Sequence, residues 1–453
     1  MKPSQFIIVI LLATFLASCA PGTATPAPTL TVISSTTFEP TITPTPAPES
    51  LADAPALSTW VEEYVHAYGG KVTVNGVEMD AQQLTEDIRI KPDKFTQFIQ
   101  AQGINYSIIV VNETPLAIGL NGNWQKSTLR LLGHLSGITF GTETGENFTD
   151  TAWQRIQSEN FDECVIGAGI YWDQLEQEKG NSDFSIADSQ VKWLSKGNCR
   201  IIGYHLISNY PDWLLQENFT KDELTVIMRE RITTLMTRYP EITEWVVVNE
   251  PYLPQYRETD VYYKTWGDYN YIITAFEIAR EVNPNAVLIY NDTDNHWQDG
   301  VTRNLTRTII SKIKEKNLVD FVGFQMHLYE WENGLIDNRQ LTTFADEIDF
   351  YKSINVPVKI TELDYLGSKT EINTSPDSFN KRLAAVYKRV IEIAISNNLT
   401  HITFWGLNDK YSWLNTYDPS LNGQRVNGTL FDEYSRPKMA YYEVLKVLYE
   451  HLP

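Results

Sequence analysis

From Leu129 onward, short runs of apolar residues alternate with longer stretches whose apolar positions recur every three or four residues. The short runs are GITFGTE, DECVIGAGI, CRIIGYHL, EWVVVNE, AVLIYND, DFVGFQMH, VPVKITELD and HITFWGLND. They are rich in β-branched and aromatic residues at consecutive positions, which suits strands buried on both faces. The longer stretches predict helices at 150–159, 186–196, 221–238, 268–282, 300–316, 341–353, 378–396 and 437–449. Many open at a capping residue such as Thr220 or Ser378 and are followed by Gly, Asn or Pro, as helix ends prefer. Eight strands alternating with eight helices predict an α/β chain closed into a (β/α)8 TIM barrel over residues 126–453. A doubly wound open sheet competes, but GITFGTETGENF lacks the G-x-G-x-x-G turn such a sheet carries after its first strand.

Residues 51–125 read as a small N-terminal α+β extension. A helix is expected at 58–68, a strand-like segment in KVTVNGVEM, a helix at 91–102 and another strand in INYSIIVVN. No chemical signature is legible there. Ahead of it, residues 1–19 carry Lys2, the apolar run FIIVILLATFLA, Ser18 and Cys19. That run is too short to cross a membrane and be retained, so an export signal is expected. LASC at its end resembles the bacterial lipobox, which implies cleavage before Cys19 and acylation of its thiol; an ordinary signal peptide cut a few residues later is the alternative. Residues 20–50 are Pro, Thr, Ala and Ser with scarcely a charge. Such a segment cannot bury enough apolar surface to fold and serves as an extended tether. The expected location is the extracellular face of a cell envelope, lipid-anchored, or outside the cell altogether.

A net charge of −20 argues against nucleic acid or an anionic membrane surface as partner, because both reward basic patches. A neutral polymer such as a polysaccharide is unopposed, and 12 Trp with 24 Tyr supply flat faces suited to sugar rings. Only Cys164 and Cys199 remain besides Cys19. Both fall near the starts of consecutive strands, where disulfide geometry is rarely met, so two buried thiols are favoured over a bridge. No Cys/His cluster has zinc spacing and no His-x-His occurs, so neither metal nor cofactor is expected. A monomer is expected.

In a barrel, the carboxyl ends of the strands face one mouth, where reacting groups collect. In ITEWVVVNEPYL, Pro251 stops a strand immediately after Asn249 and Glu250. Reading the later strand ends adds Asn291 and Asp292, Gln325 and His327, Glu362 and Asp364, then Trp405 and Asp409. Two glutamates across one mouth are what glycoside hydrolysis needs: one protonates the departing oxygen, the other attacks the sugar carbon or activates water. Glu250 and Glu362 are far apart along the chain, so only closure of the barrel unites them.

The motifs WVVVNEP, FVGFQMHL, KITELDY, HITFWGLNDKYSWL and LFDEYSRPKMAYYEVL, with NFDECVIGAGIYWDQLE nearer the start, resemble in order those of glycoside hydrolase family 10, the barrel endo-β-1,4-xylanases. The resemblance runs from about Thr128 to the C-terminus. It implies a retaining endo-β-glycosidase acting on xylan or a related β-linked plant polysaccharide. By that resemblance Glu250 is the general acid/base, Glu362 the nucleophile, and Asn249 the residue holding the sugar 2-hydroxyl. Gln325 and His327 match groups touching nucleophile and substrate, Asp364 the carboxylate orienting the histidine, and Trp405 and Trp413 the indoles lining the site.

The first half departs from the family pattern. Where the family reads Glu-Asn-x-Met-Lys-Trp, this chain has GAGIYW, so Gly167, Ala168 and Tyr171 replace Glu, Asn and Lys, and Trp172 alone agrees. The family's Gly-His-Thr-Leu-Val-Trp-His becomes GYHLISN, with Tyr204, Ser208 and Asn209 at the His, Trp and His positions. His205 is one position off, which in a regular strand turns it to the other face unless the register slips. The replaced groups bind sugars on the non-reducing side, so an altered grip is expected. A carbohydrate-binding barrel without turnover is the competing reading, although such a binder has no need of both glutamates, Asn249, Gln325 and His327.

Overall fold

A computed structural model describes residues 63–64, 72–74, 77–79, 96–101, 104–111, 113–120, 123–145, 148–197, 199–251, 260–293, 300–329, 338–367, 375–417 and 426–452. The expected signal with Cys19 and the linker at 20–50 lie outside the described residues. Of the helix expected at 58–68, only Glu63 and Tyr64 are described, and both are helical.

The N-terminal extension is built mainly from antiparallel strands. β1 (Val72–Val74) and β2 (Val77–Met79) form a hairpin. β3 (Thr96–Ala101), β4 (Ile104–Val111), β5 (Thr114–Leu120) and β6 (Asn123–Lys126) form a four-stranded meander. The expected helix at 91–102 is corrected here, because residues 96–101 pair along their whole length with β4. Phe95, Phe98, Ile99 and Gln102 mimic a helical stripe in sequence, but Thr, Phe and Ile also suit a strand, and the partner decides. Leu116, Ala117 and Ile118 are buried in the same apolar cluster as the chain's last helix. Tyr64 stacks edge-on against Tyr442 of that helix at 4.7 Å.

The barrel strands are β7 (Thr139–Thr144), β8 (Glu163–Ile166), β9 (Arg200–Ile207), β10 (Glu244–Asn249), β11 (Val287–Asp292), β12 (Phe321–Phe324), β13 (His327–Tyr329), β14 (Val358–Leu366) and β15 (His401–Phe404). All neighbours are parallel, and the pairings β12–β14 and β15–β7 close the ring. β13 continues the β12 line after a break at Gln325 and Met326 and pairs with the upper end of β14. The closed eight-membered ring is the (β/α)8 TIM barrel expected from the sequence.

Nine principal helices flank the strands among the described residues: α1 (Leu129–Ser136), α2 (Thr151–Asn160), α3 (Ser185–Leu194), α4 (Lys221–Arg238), α5 (Tyr271–Val282), α6 (Gly300–Glu315), α7 (Asn338–Ser353), α8 (Pro376–Ser396) and α9 (Met439–Glu450). α4 begins with a capping box in which Thr220 and Glu223 satisfy each other's backbone N–H. Strands and helices share one large outer core, whereas Val165, Ile202, Tyr204, Val246 and Ile289 form a small cluster inside the ring.

The floor of the barrel is ionic. Lys359 Nζ lies 2.6 Å from Glu244 and 3.8 Å from Glu163, and Arg200 bridges both carboxylates. These residues stand at the amino ends of their strands, opposite the mouth.

Cys164 and Cys199 form a disulfide, with Cα atoms 6.0 Å apart, which corrects the expectation of two thiols. Cys164 pairs in register with Ile201, and Cys199 precedes the first residue of β9. Not yet held in the ladder, its backbone is free to turn the sulfur toward its neighbour.

Candidate active site

The mouth of the barrel opens into a cavity of about 410 Å3 lined by Asn249, Glu250, His327, Glu362, Trp405 and Trp413, and on its other side by Tyr171, His205, Ser208 and Asn209. Glu250 and Glu362 therefore share one cavity despite their separation in sequence.

Backbone geometry aims these groups. Glu250 follows the last residue of β10 in the left-handed region, φ 51°, and its N–H is held by Asn291 O at 3.1 Å. Met326 is also left-handed, φ 63°, at the break between β12 and β13. Such conformations cost about 1–3 kcal/mol each in a residue other than glycine and concentrate where function needs a side chain redirected. The break sends His327 into register with Asp364.

Glu362 is 4% exposed and accepts from three donors. Tyr204 Oη lies 2.5 Å and Asn291 Nδ2 2.7 Å from Oε1, while His327 Nε2 lies 3.0 Å from Oε2. Burial and then Glu362 raise the Tyr204 phenol well above its usual value, so it remains a neutral donor. Burial opposes charge on His327, yet Asp364 and Glu362 together lift its pKa well above that of a free imidazole. A cationic ring donates from both nitrogens, and both have carboxylate partners, Nδ1 meeting Asp364 at 2.8 Å. Asp364 also accepts from Trp413 Nε1 at 2.6 Å.

The orientation of the amides follows from this carboxylate. Glu362 accepts only, so Asn291 must present its NH2, and Thr361 donates to the Asn291 carbonyl at 2.6 Å. Asn291 Nδ2 also reaches Asn249 Oδ1 at 2.7 Å, and Gln325 Nε2 approaches the same oxygen at 3.2 Å. With its carbonyl so engaged, Asn249 turns its NH2 toward the cavity. Gln325 Nε2 donates to Glu250 Oε1 at 2.8 Å, so one set of hydrogen bonds links the two glutamates. Gly323 makes room for it, because a Cβ there would stand 2.3 Å from Asn291 Oδ1.

Of the residues singled out from sequence, Asn249, Glu250, His327, Glu362, Trp405 and Trp413 reach the cavity. Gln325 and Asp364, fully and almost fully buried, stand behind its wall and touch the lining groups. Asp409 is elsewhere, paired with Lys438 Nζ at 2.9 Å. Asp292 accepts from Tyr290 Oη at 2.9 Å.

His205 reaches the cavity because the register slips. β10 advances from Val246 to Val248 while β9 advances from Tyr204 to Ile207, so one extra residue on β9 lets Tyr204 and His205 both serve the mouth. The Tyr204 ring lies 5.2 Å from Trp405, and His205 stacks on Tyr171 at 5.2 Å. Burial, then Arg231, push the His205 imidazole down to about 3, so it is neutral. Sequence reasoning noted Tyr171, Tyr204 and His205 only as departures and passed over Glu143, whose carboxyl burial and then Glu362 push up to about 7. A strand-end signal existed for Glu143, in the run GITFGTE, but no motif marked it.

The family described as glycosyl hydrolase family 10 matches residues 128–447. The chain is 28% identical over 341 residues to endo-1,4-beta-xylanase B of Thermotoga neapolitana, covering 72% of this chain and 93% of that one. It is 32% identical over 291 residues to endo-1,4-beta-xylanase C of Phanerodontia chrysosporium, covering 62% and 70%. Among solved structures, xylanase 10B from Thermotoga petrophila RKU-1 in complex with xylobiose superposes with a TM-score of 0.64 at 28% identity, over 73% of this chain and 99% of that one.

Proposed function

The chain belongs to glycoside hydrolase family 10 as an endo-1,4-β-xylanase-like hydrolase, and we propose that it cleaves β-1,4-xylan or a related β-linked plant polysaccharide with retention. The observation that carries this reading is the shared cavity of Glu250 and Glu362, with three donors converging on Glu362.

In the first step Glu362 attacks the anomeric carbon while Glu250 gives its proton to the departing glycosidic oxygen, leaving a glycosyl ester on Glu362. In the second, the Glu250 carboxylate takes a proton from water, whose oxygen attacks the same carbon and returns Glu362 as a free carboxylate. His327 balances the charge on Glu362 before the ester forms and again once hydrolysis returns it as a carboxylate. The Asn249 NH2 facing the cavity is suited to the sugar 2-hydroxyl, a contact that strengthens as positive charge develops on the ring. Trp405 and Trp413 offer apolar faces that exclude water. The acylated Cys19 and the Pro/Thr-rich stretch after it would tether the barrel outside the cell, so that the polymer comes to the enzyme.

Replacing Glu362 by Gln is expected to abolish release of reducing ends from xylan, with the melting temperature little changed. NMR of the first-formed product should show the β-anomer. Hydrolysis at the wild-type rate by the variant, or an α-anomer first, would remove the mechanism.

A further inference from the structure

The side of the cavity facing β7 to β9 lacks the family's glutamate and lysine at 167 and 171, and the structure supplies a different carboxyl nearby. A Cβ at position 141 would meet Thr403 Oγ1 at 2.6 Å and Glu163 Cβ at 3.0 Å, so position 141 faces the barrel interior. Glu143, two residues on, faces the same way one layer nearer the mouth. Its register partner is Val165 of the inner cluster. Thr142 and Thr144 on either side are fully buried, whereas Glu143 is partly accessible.

Position 167 has no room for a side chain while Tyr171 stands where it does. A Cβ on Gly167 would lie 2.3 Å from the Tyr171 hydroxyl, so the tyrosine ring occupies the space. Tyr171 in turn stacks on His205, and both line the cavity. After burial, the charge that most raises the Tyr171 phenol is that of Glu143, ahead of Glu362 and Glu250. Among the described residues no protein group hydrogen-bonds the Glu143 carboxyl.

We infer that Glu143 is a specificity-determining residue that hydrogen-bonds the second sugar on the non-reducing side of the cleavage point, serving in place of the carboxylate that position 167 lacks. The inference rests on the hydrolase reading above. A carboxyl titrating at about 7 is present in both forms near neutrality, so it can donate to or accept from a sugar hydroxyl. The same carboxyl, close enough to Glu362 to feel its charge, disfavours a uronic acid branch on that sugar, so the group bound there carries no acidic substituent.

Two substrates with one leaving group separate this role from a structural one: 4-nitrophenyl β-xyloside and 4-nitrophenyl β-xylobioside, which differ by one sugar on the non-reducing side. Glu143→Ala is expected to lower kcat/KM on the xylobioside about tenfold more than on the xyloside, chiefly through KM. Glu143→Gln, which keeps the shape and a donor, should recover most of that loss. Equal losses on the two substrates, or none, overturn the assignment. Turnover of neither glycoside by the wild-type chain would instead count against the hydrolase reading. Calorimetric titration with xylobiose then decides for Glu143, and unchanged affinity in the alanine variant overturns its role.

Discussion

Asp364→Asn tests how charge is arranged behind Glu362. The wild-type carboxylate accepts from His327 Nδ1 at 2.8 Å and from Trp413 Nε1 at 2.6 Å, 1% exposed to solvent. An asparagine of the same shape has one oxygen for these two donors. If that oxygen keeps Trp413, its NH2 meets His327 Nδ1, which must then accept and be neutral. Nε2–H can still reach Glu362, but as a neutral donor. A hydrogen bond to a charged group contributes about 1.5–3 kcal/mol and a neutral one about 0.5–1.5. The contacts at Asp364 and Glu362 each lose about 1 kcal/mol or more, and kcat should fall roughly ten- to a hundredfold.

The pH dependence carries a sign. The folded-state pKa of His327 is raised above its unfolded value of 6.5. Its contribution to stability is therefore fully present below about pH 6.5 and is lost as pH rises through the folded value. The asparagine variant lacks that contribution, so its melting temperature should trail the wild type most near pH 6 and less as pH becomes alkaline. Stopped assays on xylan and differential scanning calorimetry from about pH 6 upward read both quantities. A variant with kcat within about twofold of wild type and a melting-temperature gap independent of pH would refute the cationic His327.

Two predictions concern the scaffold. Lys359→Met leaves Glu244 and Glu163 with Arg200 and with His401, which burial keeps neutral, in a buried floor, which should cost about 3–5 kcal/mol without altering kcat at low temperature; calorimetry checks it, and a wild-type melting temperature refutes it. Cys164→Ser opens a cross-link spanning 35 residues, worth about 3–4 kcal/mol by chain entropy. Dithiothreitol should bring wild type to the variant's melting temperature, and a variant melting with the oxidised wild type would contradict the bridge.

The barrel was legible because its strands are covered on both sides and so carry unbroken apolar runs. Even the start of α4 at 221 is recoverable from its Thr220 and Glu223 capping signal. What escaped depends on partners. The segment at 96–101 became a strand because β4 was there to pair with it, and Cys199 reached Cys164 because it lies outside the ladder. The slip between β9 and β10 has no local signature, yet it decides that His205 faces the cavity. Asn291 was visible as a strand end, but its role in fixing Asn249 arises only when β10, β11 and β14 are side by side.

The cavity divides into two halves borne by different strands. The segments from β10 to β14 carry both glutamates and the amide and imidazole groups that touch them. On the other side, His205 of β9 and Tyr171, which follows β8, line the cavity, and Glu143 is on β7. Because the halves are on separate strands, residues of the second can change without moving the first, which is how a chain alters what it grips while keeping the chemistry. Tyr204 breaks this independence: it lies on β9, but its hydroxyl donates to Glu362 and accepts from Asn291. Its ring also packs against His205 at 4.7 Å. A substitution at 204 therefore disturbs Glu362 and the His205 side of the cavity together, whereas one at 143 or 171 reaches Glu362 only through space.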